Sequence, residues 1–308
     1  MAASSVEIGR APASPWRLSA REWVDGFKRA FKSFLADDAM GLSAQVAFSA
    51  LLAFFPAMVF LVGLLDLFGA YDALKEFLAP VAPGDVLSTI DTLQKDTSTG
   101  TSVVAFVVGA AAAIWAASGA MTAVIKAVNR AYDRVETRPF WKTRLIAIVL
   151  VVLTGLVLAG LLLLIVFGGP LGTAIADKAH LGGEFELLWT VIRWPIAFVA
   201  ILLFFALVYY LAPNVDARSW KWLTPGSLVG SLMWLVLSGL FALYTSLSDS
   251  YSRTYGALAS GIVLLLWLNY SAFALLFGGE LNSELERQAE IRAAGGEDAG
   301  LIKPSRRV

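Results

Sequence analysis

Six long apolar runs constrain the fold of this chain more than any other feature. They cover residues 42–65, 103–125, 145–167, 194–211, 223–247 and 257–277, and none contains Asp, Glu, Lys, Arg or His. A helix needs about 20 apolar residues to cross the hydrocarbon core of a bilayer. Backbone groups in lipid must be hydrogen-bonded within the protein, so runs of this length form helices. The pattern predicts an all-α polytopic membrane protein, a bundle of six transmembrane helices with amphipathic surface helices.

Composition excludes several classes of function. The net charge is zero and only 16% of the residues are charged, against about 25% in an average soluble domain. No global positive field therefore points to nucleic acid. The chain has no Cys and one His, His180, which excludes disulfides, thiolate metal sites and multi-His sites. We expect no enzymatic activity, no cofactor and no metal.

The positive residues predict the orientation in the membrane. Of the 24 Lys and Arg residues, 19 lie before the first run, between the second and third, after the fourth, or after the sixth. Positive residues accumulate in the cytoplasmic flanks of membrane helices. We therefore expect a bacterial inner-membrane protein with both termini in the cytoplasm.

Amphipathic segments flank the runs. Ser19 and Glu22 have the spacing of a helix capping box, and apolar residues then recur at helical spacing among cationic ones. This helix lies on the cytoplasmic membrane surface or packs on the protein's own cytoplasmic loops; the sequence leaves both interpretations open. Residues 71–101 predict two further short amphipathic helices on the outer side.

The chain divides into three predicted segments. Residues 1–40 form a cytoplasmic N-terminal segment with the amphipathic interfacial helix. Residues 41–280 form the six-helix transmembrane domain. Residues 281–308 form a cytoplasmic helix and a disordered tail, because this part contains charged residues and a Gly-rich stretch.

Neutral polar residues inside the runs are the candidates for a substrate path. They are Gln45, Asn269, Ser238 and Tyr244. Ion-coupled transporters usually keep an ionisable group within the membrane, so a neutral path is better suited to a lipid-like substrate. The alternative is that these groups form hydrogen bonds between helices.

Further candidates lie at the ends of the runs. Lys126 or Arg130 after the second run and Glu280 or Glu284 after the sixth are predicted to pair, as a gate or as a structural pin. Outside the membrane, Arg253 lies near Tyr251 and Tyr255 and could contact a lipid phosphate or substrate anion, or could act only as an interfacial anchor. These residues are read directly from the sequence.

Three backbone features are predicted within the runs. Pro56 should kink the first helix, either as part of a cavity or gate or purely as architecture. Thr224 precedes Pro225 and should cap a helix. Gly226 and Gly230 form a small-residue face that predicts a close helix contact.

The chain resembles the YihY family, also called the virulence factor BrkB family, of bacterial inner-membrane proteins. The matching stretches are AQVAFSALLAFFPAMVFL, VIKAVNRAYDRVETRPFWKTRL, WLTPGSLVGSLMWLVLSGLFALY, YSRTYGALASGIVLLLWLNYSA and FGGELNSEL. They occur in family order over roughly residues 23–285. The chain departs from the family pattern at Phe48-Ser49 and at Gly119.

The resemblance implies six membrane helices with cytoplasmic termini and a role in the cell envelope. The family has also been labelled ribonuclease BN, but the sequence shows no paired acidic metal site and no basic groove. We expect a transporter or flippase-like protein for a lipid or amphipathic envelope substrate. The alternative is a non-transporting scaffold or regulator of envelope assembly, and the third candidate is the nuclease. The expected partners are membrane lipids and, as a further class, other envelope proteins, with no nucleic acid.

Overall fold

The computed structural model describes residues 14–67, 69, 71–72, 75, 91–92, 102–166, 178, 183–215, 223–246 and 257–293. These residues form one short 3-10 helix, Pro15–Arg17, and seven α-helices. The α-helices are α1 (Ala20–Ala36), α2 (Ala39–Leu67), α3 (Ser102–Ala131), α4 (Phe140–Val166), α5 (Gly183–Leu211), α6 (Pro225–Ser246) and α7 (Ala257–Ala293). The last six are each long and apolar enough to cross a membrane. The prediction of an all-α polytopic membrane protein is confirmed.

Helices α5 and α7 extend furthest beyond their apolar runs. Helix α5 begins at Gly183, before the predicted start at residue 194. Helix α7 continues to Ala293, well past residue 277. Its C-terminal part buries Leu281, Leu285 and Ala289, so packing keeps this charged segment helical after the apolar run has ended.

The six long helices form a closed ring. Each of α2 to α6 packs against the next helix in the chain, and α7 returns to pack against α2. Helix α7 also contacts α3, and α1 lies against α7 and α2. Neighbours in sequence are therefore neighbours in space, as is usual for consecutive elements of a fold.

The core is concentrated at one end of the ring, which we call the α1 end because α1 packs there. Every residue from 274 to 282 in α7 is buried, and around them lie Ile125 and Val128 of α3 and Val208 of α5. Towards the opposite, far end, every residue from 262 to 269 is partly exposed. The bundle is thus closely packed at the α1 end and more open at the far end.

The structure confirms the predicted helix caps. The Ser19 Oγ accepts a hydrogen bond from the backbone N–H of Glu22 at 3.4 Å, and the Glu22 carboxylate accepts one from the Ser19 N–H at 2.7 Å. At α6, the N–H of Ser227 donates to Thr224 Oγ1 at 3.1 Å. Both caps satisfy N–H groups that a helix start leaves without intrahelical partners.

Helix α1 packs on the protein itself. It buries Gly26, Ala30 and Phe34, and the Phe34 ring centroid lies 4.5 Å from that of Phe273 in α7. The packing surface is a membrane helix rather than a loop. The side of α1 that faces away from α7 remains exposed.

Several predictions fall outside the described residues. They include most of the segment 71–101 with its two short helices, His180, and the tail beyond residue 293. Within that segment, Lys75 Nζ lies 2.8 Å from carboxylate oxygens of Asp72 and of Asp91. The division of the chain at residues 40 and 280 stays a prediction.

Candidate functional site

Helices α6 and α7 touch backbone to backbone at two glycines. A Cβ on Gly226 would collide with the Gly278 carbonyl oxygen, and a Cβ on Gly278 would collide with the Gly226 carbonyl oxygen and the Tyr209 hydroxyl. A Cβ on Gly230 would lie 3.0 Å from the Phe205 ring and the Tyr209 hydroxyl. The predicted small-residue contact is confirmed, and its partner surface is Gly278 of α7 with the aromatic rings of α5.

Asn282 lies beside this contact and joins the two helices through hydrogen bonds. Its Oδ1 accepts from the backbone N–H of Gly226 at 2.6 Å, and its Nδ2 donates to Thr224 Oγ1 at 3.0 Å. The residue is fully buried. Gly226 is in the first turn of α6, where N–H groups lack intrahelical acceptors, so Asn282 completes the cap of α6 from a neighbouring helix.

Two tyrosines complete this polar cluster. The Tyr209 hydroxyl donates to the Leu275 carbonyl oxygen at 2.6 Å. Burial raises the pKa of the Tyr132 hydroxyl well above its usual value; nearby Glu286 raises it further, and a hydrogen bond with Asn282 acts in the opposite direction. Tyr132 therefore stays neutral at physiological pH. The cluster fills the α1 end of the α6–α7 contact with neutral groups.

Towards the far end, the same two helices are joined by reciprocal Trp–Ser hydrogen bonds. Trp234 Nε1 of α6 donates to Ser271 Oγ of α7 at 2.9 Å, and Trp267 Nε1 of α7 donates to Ser238 Oγ of α6 at 3.2 Å. The two indole rings lie 6.1 Å apart. All four residues are only partly buried. We call these four residues the Trp–Ser seam.

The structure distributes the four predicted path residues over different surfaces. Ser238 belongs to the Trp–Ser seam. Asn269 is partly buried on α7, about 200° around the helix from Trp267, and its side chain makes no hydrogen bond within the described part of the chain. Tyr244 is about half exposed, with its ring 6.4 Å from Phe241.

Gln45 lies apart from the other three path residues. Its side chain is exposed, whereas Ser43, Val46 and Ala47 are buried. It therefore lies on the side of α2 that faces away from the bundle. The role of these four residues in a substrate path stays a prediction.

Two of the four predicted charged residues, Glu284 and Arg130, have ionic contacts with residues outside the predicted set. Glu284 is buried; its Oε2 lies 3.4 Å from Arg29 Nε and 2.8 Å from Arg287 Nη2, and its Oε1 accepts from Ser33 Oγ at 3.1 Å. The contacts with Arg29 and Ser33 join α1 to α7, and the contact with Arg287 lies within α7. Arg130 instead lies 3.4 Å from Asp37, in the turn between α1 and α2.

Lys126 is exposed and Glu280 is fully buried. A gate formed by Lys126 or Arg130 with Glu280 or Glu284 stays a prediction.

Pro56 lies inside α2 and is partly buried, and a kink of the helix at this residue stays a prediction. Arg253, Tyr251 and Tyr255 lie outside the described residues.

Sequence reasoning missed a second polar network, between the α3–α4 loop and the end of α5. Asn129 Nδ2 donates to Glu136 Oε2 at 2.8 Å, and its Oδ1 accepts from the Asn214 N–H at 2.7 Å. Arg138 binds the Glu136 carboxylate at 2.6 Å and donates to the Ala212 carbonyl oxygen at 2.8 Å. The network holds the loop against the C-terminal end of α5, where carbonyl groups lack intrahelical donors.

The ionisation of Glu136 depends on this network. Hydrogen bonding to Arg138 lowers the pKa of the Glu136 carboxyl, although partial burial acts in the opposite direction. The carboxylate therefore stays charged at neutral pH.

The sequence contained one signal for this network. The stretch NRAYDRVETRPF concentrates polar side chains between two apolar runs.

Within the described ranges, no three His, Cys, Asp or Glu side chains are grouped so that they could hold a metal ion. The polar groups that the structure gathers are hydrogen-bonding amides, hydroxyls and indoles together with ion pairs at the α1 end. Such groups can hold helices together or bind a polar group of a ligand.

Comparisons with known proteins agree with this architecture. The family model described as virulence factor BrkB matches residues 30–300. A ribonuclease-like protein of Bacillus subtilis, YfkH, is 29% identical over 265 residues, which are 86% of this chain and 96% of that protein. A UPF0761 membrane protein of Aggregatibacter aphrophilus is 26% identical, over 82% of this chain and 87% of its own length.

A shorter match agrees with the other two. A UPF0761 membrane protein of Idiomarina loihiensis is 30% identical over 95 residues, which are 31% of this chain and 33% of that protein. No solved structure matches. Because the family model covers most of the chain, the protein belongs to the virulence factor BrkB family of membrane proteins.

Proposed function

We propose that this protein is a non-enzymatic transporter or flippase-like protein of the bacterial inner membrane, and that its substrate is a lipid or another amphipathic molecule of the envelope. The substrate would enter the more open far half of the bundle from the side. The closely packed α1 end would separate it from the cytoplasm.

The difference in packing along α7 is the observation that carries this proposal. Residues 262–269 are all partly exposed although they complete more than two helical turns, so no face of this segment is fully buried. In α4, no described side chain beyond Leu150 is buried. Residues 274–282 of α7 are all buried. A path that is open at one end and closed at the other is what one state of an alternating-access cycle requires.

The chemistry of the open half favours a substrate with a neutral polar group. Ser238 and Ser271 each accept a hydrogen bond from an indole, and a hydroxyl can also donate one. The amide of Asn269 adds further donors and an acceptor. The indole rings beside the two serines suit an apolar chain attached to an ester, amide or hydroxyl group.

The proposed orientation rests on charge. Arg29, Arg130 and Arg287 lie at the α1 end, together with Arg21, Lys28 and Lys32 of α1. Because cationic flanks remain in the cytoplasm, we assign the α1 end and both termini to the cytoplasmic side. Gln45 is exposed on the lipid-facing side of α2, six residues after the helix begins at Ala39, so it would meet a substrate outside the open half, nearer the α1 end.

Lipid movement in reconstituted vesicles tests the proposal. The wild-type protein should move fluorescent phospholipid between leaflets, and Asn269→Leu and Ser238→Ala should slow this movement. Gln45→Leu tests whether this lipid-facing amide takes part in lipid movement. Thr154→Val is the matched control, because the Thr154 hydroxyl donates to the Leu150 carbonyl of its own helix at 2.6 Å.

Failure to move lipid under any ion or voltage gradient would contradict the proposal and favour the non-transporting scaffold. Equal rates for Asn269→Leu and wild type would reject Asn269 as a path residue. Because the name of YfkH describes it as ribonuclease-like, RNA cleavage should also be assayed with divalent metals. Cleavage by the purified protein would contradict the non-enzymatic assignment.

A further inference from the structure

Helix α1 has a second apolar face, which is about half exposed and lies beside the face that packs on α7. Val24, Phe27, Phe31 and Leu35 are each between 46% and 53% exposed. Their spacing of three or four residues places them in one stripe along the helix. The buried face of α1, formed by Gly26, Ala30 and Phe34, lies beside this stripe rather than under it.

Basic residues line the other edge of the stripe. Arg21, Lys28 and Lys32 are exposed, and no ion pair of theirs is found among the described residues. Asp25 is the acidic residue on the same side. The order around the helix is thus a face packed on α7, an exposed apolar stripe and then a mainly cationic edge. An amphipathic helix that lies in the headgroup layer has this arrangement.

The position of α1 places the stripe at the membrane boundary. Only two residues, Asp37 and Asp38, separate α1 from α2, and the candidate membrane span begins at Ala39. The Phe27 ring lies 5.2 Å from the ring of Phe277, which belongs to the last candidate span. Both the covalent connection and this ring contact hold the C-terminal half of α1 beside apolar membrane helices.

We propose that α1 docks on the anionic leaflet of the membrane. The apolar stripe enters the boundary between headgroups and acyl chains, and Arg21, Lys28 and Lys32 contact lipid phosphates. The exposed apolar side chains of α2 that follow, Met40 and Phe48, continue this surface into the bilayer. Helix α1 would therefore be clamped between α7 and the lipid. This docking does not depend on transport.

Single-cysteine labelling of the full-length protein tests the proposal. The chain has no cysteine, so Phe31→Cys, Leu35→Cys and Asp25→Cys can each carry one environment-sensitive fluorophore. In vesicles that contain phosphatidylglycerol, the probes at 31 and 35 should emit at shorter wavelength and lose intensity to a quencher attached to lipid chains. The probe at 25, on the cationic side, should lose intensity to aqueous iodide instead.

Lipid charge provides the second measurement. Pure phosphatidylcholine vesicles, or Arg21→Gln combined with Lys28→Gln and Lys32→Gln, should reduce lipid quenching at residue 31. Iodide quenching at 31 and 35 equal to that at 25 would overturn the proposal. Self-quenching that increases with protein density would overturn it in favour of a second copy. Quenching that is independent of lipid charge would overturn the anionic-leaflet assignment.

Residues 31 and 35 are exposed and residue 25 is partly exposed, and none of the three belongs to the buried face of α1. A monodisperse detergent-solubilised protein confirms that each variant is folded. Since lipid movement is measured separately, loss of docking and loss of transport are distinguishable.

Discussion

The Asn282 side-chain oxygen accepts a hydrogen bond of 2.6 Å from the backbone N–H of Gly226. The bond joins the last membrane helix to the first turn of the preceding one, at the point where their glycine backbones touch. A side chain of α7 thereby satisfies a backbone donor that α6 cannot satisfy within itself. This relationship fixes the relative position of the two helices at the closely packed end.

Replacing Asn282 should destabilise the fold. Asn282→Leu leaves the Gly226 N–H buried without its acceptor, which costs about 1–3 kcal/mol. Thermal unfolding in detergent, followed by intrinsic Trp fluorescence, measures the loss. Asn269→Leu is the control, because that amide is only partly buried. Equal loss in both variants would contradict the role of Asn282.

The glycine contact predicts a position-specific effect of added methyl groups. Gly278→Ala should cost about 1–3 kcal/mol, because the new Cβ overlaps backbone and a buried hydroxyl. Gly239→Ala and Gly261→Ala lie in the same two helices with nothing within 4 Å of the added Cβ. They should be neutral or stabilising. The unfolding temperatures of the three variants decide the prediction, and a destabilised Gly261→Ala would count against it.

The ion pair between Arg29 of α1 and Glu284 of α7 should contribute more to the free energy of unfolding than the exposed charged residues beside it. Arg29→Gln removes the contact with Glu284 and the 2.7 Å hydrogen bond to Gln288. We expect a loss of about 1 kcal/mol, since the partly exposed arginine is screened by solvent. Lys28→Gln, one residue away and exposed, should change little. Unfolding temperatures of the two variants in uncharged detergent compare these effects.

Stability should depend on the titration of Glu136. Its pKa is lowered in the folded protein, chiefly by the hydrogen bond to Arg138. A lowered folded-state pKa contributes stability that is present above the unfolded pKa and is lost as pH falls through the folded value. Acidification below the usual Glu range should therefore weaken the loop between α3 and α4.

Glu136→Gln isolates this contribution. The variant should be less stable than wild type at neutral pH, and the difference should decrease at acidic pH. Unfolding temperatures over a pH series measure it. All other carboxylates titrate equally in the variant and in wild type. A difference in unfolding temperature that stays constant over the whole pH series would therefore contradict the contribution of Glu136 ionisation to stability.

Local features of the sequence were sufficient for the elements and the caps. Ser19 with Glu22 and Thr224 with Pro225 form their caps because such hydrogen bonds lie within four residues of the chain. Gly226 and Gly230 indicated a close contact, because only small residues allow two helix backbones to approach.

The partners of these features could not be predicted in the same way. Sequence reasoning grouped Gln45 with Asn269 because both are amides in apolar runs, and it overlooked Asn282. The structure places Gln45 on an exposed face and buries Asn282 between two helices. Which face of a helix is buried depends on the neighbouring helices. A membrane span that carries apolar residues on every face has no amphipathic pattern from which the buried face could be predicted.

The sequence alone determined that the chain folds as six membrane helices preceded by an amphipathic helix. The bilayer requires long uncharged runs with internally bonded backbones, and such runs are visible residue by residue. The tertiary structure alone decided that the ring closes through α7 and that Asn282 caps α6. It also decided that the bundle is closely packed only at the α1 end. These properties depend on contacts between residues far apart in the chain, where packing and the pairing of buried polar groups select one arrangement.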